Sequence, residues 1–207
     1  IKKSAEHVPI WGSYPKCVSS SGCFISDNKG ITWEKSDTWV KLPLRGTMEN
    51  HIVETNAGDL LMVVRNQLGN AYFSRSTDEG VSWSLLQSSG LSASESMPCL
   101  TRIPTTGDLL FVWNNAEYDP SYDHSGKRTP LTWAISRDSG QTWGKRQNIE
   151  DDPEVEFSNV ACSYINDSYA LVTYFTSKMK SSAHPGKFGR AAMSLKGAIV
   201  SLDRLYA

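Results

Sequence analysis

The sequence predicts an all-β chain, a β-propeller of four-stranded antiparallel blades. Three observations predict it: a turn motif that recurs, a second motif that recurs in phase with it, and β-rich apolar segments between them. The turn motif is Ser76-Thr77-Asp78-Glu79-Gly80-Val81-Ser82-Trp83, repeated as Ser136-Arg137-Asp138-Ser139-Gly140-Gln141-Thr142-Trp143. A degenerate copy, Ser26-Asp27-Asn28-Lys29-Gly30-Ile31-Thr32-Trp33, carries Asn28 where the others carry Asp. The motif glycines fall at 30, 80 and 140, a period of 50 and then 60 residues.

The second motif, Gly58-Asp59-Leu60-Leu61-Met62-Val63-Val64, returns 49 residues later as Gly107-Asp108-Leu109-Leu110-Phe111-Val112-Trp113. A weaker echo is Asn166-Asp167-Ser168-Tyr169-Ala170-Leu171-Val172. Each leads into an apolar strand, and a third strand (70–74, 131–136) then runs into the turn motif.

The residue types of the turn have physical reasons. Ser and Asp oxygens accept backbone N–H bonds within it, Gly supplies positive φ, and the closing Trp fills the gap between sheets. Ser76, Asp78, Gly80, Trp83, Ser136, Asp138, Gly140 and Trp143 are therefore expected to be structural. The period predicts a single partial propeller domain over 1–207. Its blades run to about residue 45 (partial), then 46–93, 94–150 and 151–207. The last blade lacks the turn motif, and Arg190-Ala191-Ala192-Met193-Ser194 reads as its third strand. A closed six-bladed ring needs roughly 300 residues, so missing N-terminal blades or self-association is expected to complete it.

Composition narrows the function classes. Basic and acidic residues number 21 and 22, with no basic stripe for nucleic acid or a membrane surface. No apolar run approaches the roughly 20 residues that span a bilayer. The chain opens on Ile with no visible signal peptide, which suggests a processed form or a portion of a longer protein. Cys17, Cys23, Cys99 and Cys162 have neither zinc-site nor redox-motif spacing. A Cys17–Cys23 disulfide and reduced, partly buried thiols are the two readings. His7, His51 and His184 are too scattered for a metal site, and no cofactor is expected.

The turn motifs and the segment Met48-Glu49-Asn50-His51-Ile52-Val53-Glu54-Thr55, continuing through Arg65-Asn66, resemble the sialidase superfamily, in particular its BNR/Asp-box hydrolases. The resemblance covers most of the chain and implies a six-bladed fold and a carbohydrate ligand. It also implies a secreted or periplasmic setting. It suggests Glu49 as the carboxylate that polarises a catalytic Tyr or serves as acid/base. Arg65 and Arg128 would be members of the arginine set that grips the substrate, with Arg190 a further contact.

Where the family carries its Tyr nucleophile, this chain reads Glu156-Phe157-Ser158, and Phe157 has no hydroxyl to attack with. Arg102-Ile103-Pro104 looks like another family motif but falls in the wrong blade. The polar, aromatic insertion from Asn114 to His124 lengthens one blade, and long loops on rigid scaffolds carry substrate contacts. Tyr118 and Asp119 are its leading candidates, followed by Asp123 and His124. Glu154 and Glu156 offer a carboxylate pair for acid/base hydrolysis without a Tyr. Two further readings stand beside hydrolysis: a noncatalytic propeller that binds glycan or protein, and a purely architectural repeat.

Overall fold

Three sheets of successive chain segments stack beside one another, with a two-stranded piece before them. The computed structural model describes residues 18–122, 124–178 and 193–206. The first piece pairs β1 (Phe24–Ile25) with β2 (Glu34–Lys35) around the degenerate turn. Next come β3 (Met48–Glu54), β4 (Leu60–Arg65), β5 (Asn70–Ser76) and β6 (Gln87–Ser92), antiparallel in sequence order. The following sheet repeats the pattern with β7 (Cys99–Arg102), β8 (Leu109–Asn114), β9 (Leu131–Ser136) and β10 (Gln147–Glu150). The last comprises β11 (Val155–Asn166), β12 (Tyr169–Lys178) and β13 (Ser194–Ser201), closed by α1 (Leu202–Tyr206).

The first strands of neighbouring sheets, β3, β7 and β11, contact one another in succession, as inner strands of propeller blades do. Strand positions in the two middle sheets follow the two repeated motifs. Among the described residues the third strand of the last sheet starts at Ser194, with Met193 ahead of it outside the strand; Arg190, Ala191 and Ala192 of the predicted segment lie outside the described residues. The short helix α1 has no counterpart among the elements the sequence predicts.

The turn motifs work as their chemistry requires. Ser76 Oγ donates to Asp78 Oδ1 at 2.7 Å and accepts from Gly80 N at 2.8 Å, while Ser82 N donates to Asp78 at 2.9 Å. The second copy matches, with Gly140 N on Ser136 Oγ at 2.7 Å and Thr142 N on Asp138 at 2.8 Å. Hydrogen bonds from the Ser82 hydroxyl and amide, with that of Ser76, hold the Asp78 carboxyl down at about 2. In the degenerate copy the Asn28 amide reverses one bond and donates to Thr32 Oγ1 at 2.7 Å. Its carbonyl oxygen still accepts Thr32 N at 2.9 Å, so the corner keeps its shape.

Strand alternation makes each middle sheet apolar on both faces. Leu61 and Val63 of β4 point into one core with Phe111 and Trp113 of β8, while Met62 and Val64 point into another with Val40 and Trp83. Leu110 and Val112 of β8 turn the other way, toward Phe157, Val172 and Tyr174 of the last sheet. The motif tryptophans fill these gaps. Trp143 stacks on Phe73 with centroids 5.5 Å apart, bridging two sheets, and Trp83 is buried with its Nε1–H 3.3 Å from Ser36 Oγ. Trp33, at the equivalent place in the first piece, is 60% exposed. Cys23 Sγ lies 3.0 Å from Ser36 Oγ, and Cys17 lies outside the described residues. No helix among the described residues is long and apolar enough to cross a membrane.

Trp83 and Trp33 thus share a motif position and differ in burial. Trp83→Ala is expected to cost about 3–5 kcal/mol, as deletion of a buried aromatic does. Trp33→Ala is expected to change stability by less than about 0.5 kcal/mol. Urea unfolding followed by circular dichroism checks both; equal shifts in midpoint would contradict the inter-sheet role of Trp83.

Candidate functional site

Antiparallel register brings the start of each first strand beside the end of each second strand and the start of each third. Glu49, Arg65, Arg128 and Glu156 therefore share one edge of the blades although the sequence scatters them. Met48 pairs with Arg65 across β3 and β4, and the next register pair is His51 with Val63. One extra residue in β3 makes a β-bulge there, with Glu49 at φ 43°. The same device appears in β11, where Ser158 pairs with Phe175, Ala161 pairs with Thr173, and Asn159 takes φ 54°. A left-handed backbone at a residue other than Gly costs about 1–2 kcal/mol, and bulges re-aim side chains beside functional sites. At this bulge Glu49 reaches sideways to Arg65, whose Nη1 donates to its carboxylate at 2.8 Å.

The centre of the cluster is Glu95, just before β7, with its side chain 0% exposed. Arg45 Nη1 and Arg65 Nη2 both donate to its Oε1, the latter at 3.2 Å. Gln67 Nε2 donates to Oε2 at 2.9 Å, while its own oxygen accepts Arg45 N at 3.2 Å. Arg128 Nη2 donates to the Glu95 carbonyl at 3.3 Å. A buried carboxylate needs such partners, because desolvation of a lone charge costs several kcal/mol.

Sequence reasoning missed Glu95, Arg45 and Gln67. The one usable signal was position: each lies just before a first strand or just after a second, at the edge already marked by Glu49 and Arg65.

Burial lowers the Arg128 guanidinium to about 10, with Arg65 pushing the same way and Glu156, Glu95 and Glu49 opposing. His124, 4.0 Å from Glu95 Oε2, is held neutral: burial, then Arg128, Arg65 and Arg45, push its pKa down to about 2.

Phe157 sits beside this cluster through its backbone alone. Its N–H donates to the Arg128 carbonyl at 2.9 Å, and Asn114 Nδ2 bridges the Arg128 and Phe157 carbonyls at 2.8 and 3.0 Å. Its ring points into the core, 2% exposed and edge-on to Tyr174.

Tyr118 and Asp119 line an open cleft of about 400 Å³ with Glu117, Pro120, Tyr122 and Lys127. Gly69 permits the approach of Tyr118: at φ +78° it has no side chain, and a Cβ there would meet the Tyr118 Cβ at 2.7 Å. Asp119 accepts from the amide and hydroxyl of Ser121, which lower its pKa. Asp123 and Arg190 lie outside the described residues. Glu154 is exposed, its N–H donating to Asp152 Oδ1 at 2.9 Å, and Arg102 bonds Asn56 at 2.6 Å at the far end of β7. Among the described residues no group of His, Cys, Asp and Glu could hold a metal ion.

A family model described as a BNR repeat-like domain matches residues 8–169. No curated protein matches. Among solved structures, a protein of unknown function from Dyadobacter fermentans aligns with TM-score 0.63 at 20% identity over 88% of this chain and 45% of its own. The NanB sialidase of Streptococcus pneumoniae aligns with TM-score 0.66 at 16% identity, over 89% of this chain and 27% of its own. A leech intramolecular trans-sialidase aligns with TM-score 0.64 at 18% identity, over 88% of this chain and 27% of its own. The chain thus spans less than half the length of each, and at these identities the likeness is one of fold.

The neutral His124 carries a pH signature. Its folded pKa lies below the ordinary 6.5, so the unfolded chain takes up the proton first as pH falls. Stability from this group is fully present above pH 6.5 and declines below it, by up to about 1.4 kcal/mol per pH unit. His124→Asn is expected to flatten the Tm profile between pH 7 and 5; an unchanged slope would remove His124 as its cause.

Proposed function

We propose that this chain, which belongs to the BNR repeat-like domain family, is a sialidase-like glycoside hydrolase or part of one, acting on an acidic or otherwise polar glycan. The observation that carries this reading is the Glu49–Arg65 pair at 2.8 Å, set on a bulged inner strand beside Arg128, Arg45 and the buried Glu95. Such an edge of fixed guanidiniums supplies the N–H donors that recognition of an acidic or hydroxyl-rich sugar requires. In this reading the chain contributes blades near 46–93, 94–150 and 151–207, with a partial blade before them. The whole ring has six, completed by further blades or a second copy.

The roles divide by accessibility. Glu49, with its side chain 46% exposed, is the acid/base or polarising carboxylate, and Arg65 and Arg128 anchor the substrate. Tyr118 and Asp119 contact it from the adjoining cleft, and Arg190 is a further contact. Phe157 excludes a covalent glycosyl–Tyr intermediate at its own position, because its ring is core and carries no hydroxyl. Hydrolysis here would instead run through carboxylates, with Glu156, whose charge acts on Arg128, as the second of the pair.

That burial also favours a second reading, a noncatalytic propeller that binds glycan or protein through the same edge. Fluorogenic sialosides, uronides and neutral glycosides separate the two. Turnover that falls at least about a hundredfold in Glu49→Gln, with unchanged circular dichroism, supports the catalytic role. Turnover indifferent to that change sinks the assignment of Glu49, and glycan binding without turnover selects the second reading.

A further inference from the structure

If this edge binds a glycan, its charge balance limits which sugar it can take, and that limit deepens the glycan reading on which it rests. Among the described residues three guanidiniums, Arg45, Arg65 and Arg128, meet three carboxylates, Glu49, Glu95 and Glu156. Both terminal nitrogens of Arg65 are engaged, Nη1 by Glu49 at 2.8 Å and Nη2 by Glu95 at 3.2 Å. Arg45 spends its Nη1 on Glu95 as well. Among the described residues the edge is rich in arginine yet balanced in charge, and the two terminal nitrogens of Arg65 that a ligand carboxylate would grip together each already donate to a different carboxylate.

An incoming carboxylate must therefore displace Glu49 or sit beside it, and like charges held close in a partly desolvated site repel. A hydroxyl meets no such conflict. It accepts from an arginine N–H and donates to a carboxylate oxygen at the same time, so a polyol can bridge Arg65 and Glu49 with their pairing largely kept. Of the two carboxylates on Arg65 only Glu49 can yield, its side chain being 46% exposed against 0% for Glu95.

We propose that the site favours an uncharged, hydroxyl-bearing sugar over a sugar acid, and that Glu49 sets this preference by holding its negative charge against Arg65 Nη1.

The test is binding of matched pairs to the full 207-residue chain by calorimetry and on a glycan array. The pairs are methyl glucoside with methyl glucuronide, methyl galactoside with methyl galacturonide, and lactose with 3'-sialyllactose. The expected result is tighter binding of the neutral member by the wild-type chain, by about tenfold. Glu49→Gln is expected to raise affinity for the acid member by about tenfold, and Glu49→Asp, which retains the charge, to keep the wild-type order. Thermal unfolding confirms that each variant is folded. Tighter binding of the acid member by the wild-type chain overturns this inference and leaves the glycan reading standing. Equal gains in acid binding by both variants also overturn it, since the charge at position 49 would then not be the determinant. Binding of no sugar in any pair overturns the glycan reading and the inference together.

Discussion

Everything in this fold depends on the sheets being covered on both faces. β4 sends Leu61 and Val63 to one neighbour and Met62 and Val64 to the other; β8 does the same with Phe111 and Val112. A sheet apolar on both sides is unstable alone and stable in a row, so each blade is held by the ones beside it. The turn motifs serve this constraint. Their hydrogen-bonded corners deliver Trp83 and Trp143 into the seams, and the Asn28 copy shows that the corner tolerates loss of the carboxylate when an amide donates in its place.

That stacking is also what builds the site. Because consecutive sheets are held face to face with strand order unchanged, the same edge of each contributes charged groups to one place. Arg45 comes from just before β3, Arg65 from the end of β4 and Glu95 from just before β7, and Arg128 is supplied by the loop ahead of β9. The buried carboxylate of Glu95 would be costly by itself. With two guanidiniums and the Gln67 amide upon it, it ties neighbouring blades together at the end where the apolar seams stop.

The legibility of each feature in the sequence depends on how local it is. The turn corners close within eight residues, and the strands come at a fixed offset, so the sheets could be placed from repeats alone. The Glu49–Arg65 pair was legible because one hairpin links them. Glu95 was not: its partners lie 50, 30 and 28 residues away, and nothing in Ser94-Glu95-Ser96 marks a buried anion. Order along the chain puts Phe157 where the resembled family carries its Tyr, and alternation in β11, which the order does not show, turns its ring into the core.

The bulges in β3 and β11 carry a consequence for how such a site can change. Regular alternation ties every inward residue to the seam behind it, so altering a site residue would ordinarily disturb the core. An inserted residue breaks that tie. Glu49 and the exposed Asn159 occupy positions that no register partner constrains, two matching sockets on separate blades of one scaffold. Chemistry can be exchanged at those sockets while the packed rows behind them stay the same, which separates the history of the site from the history of the fold.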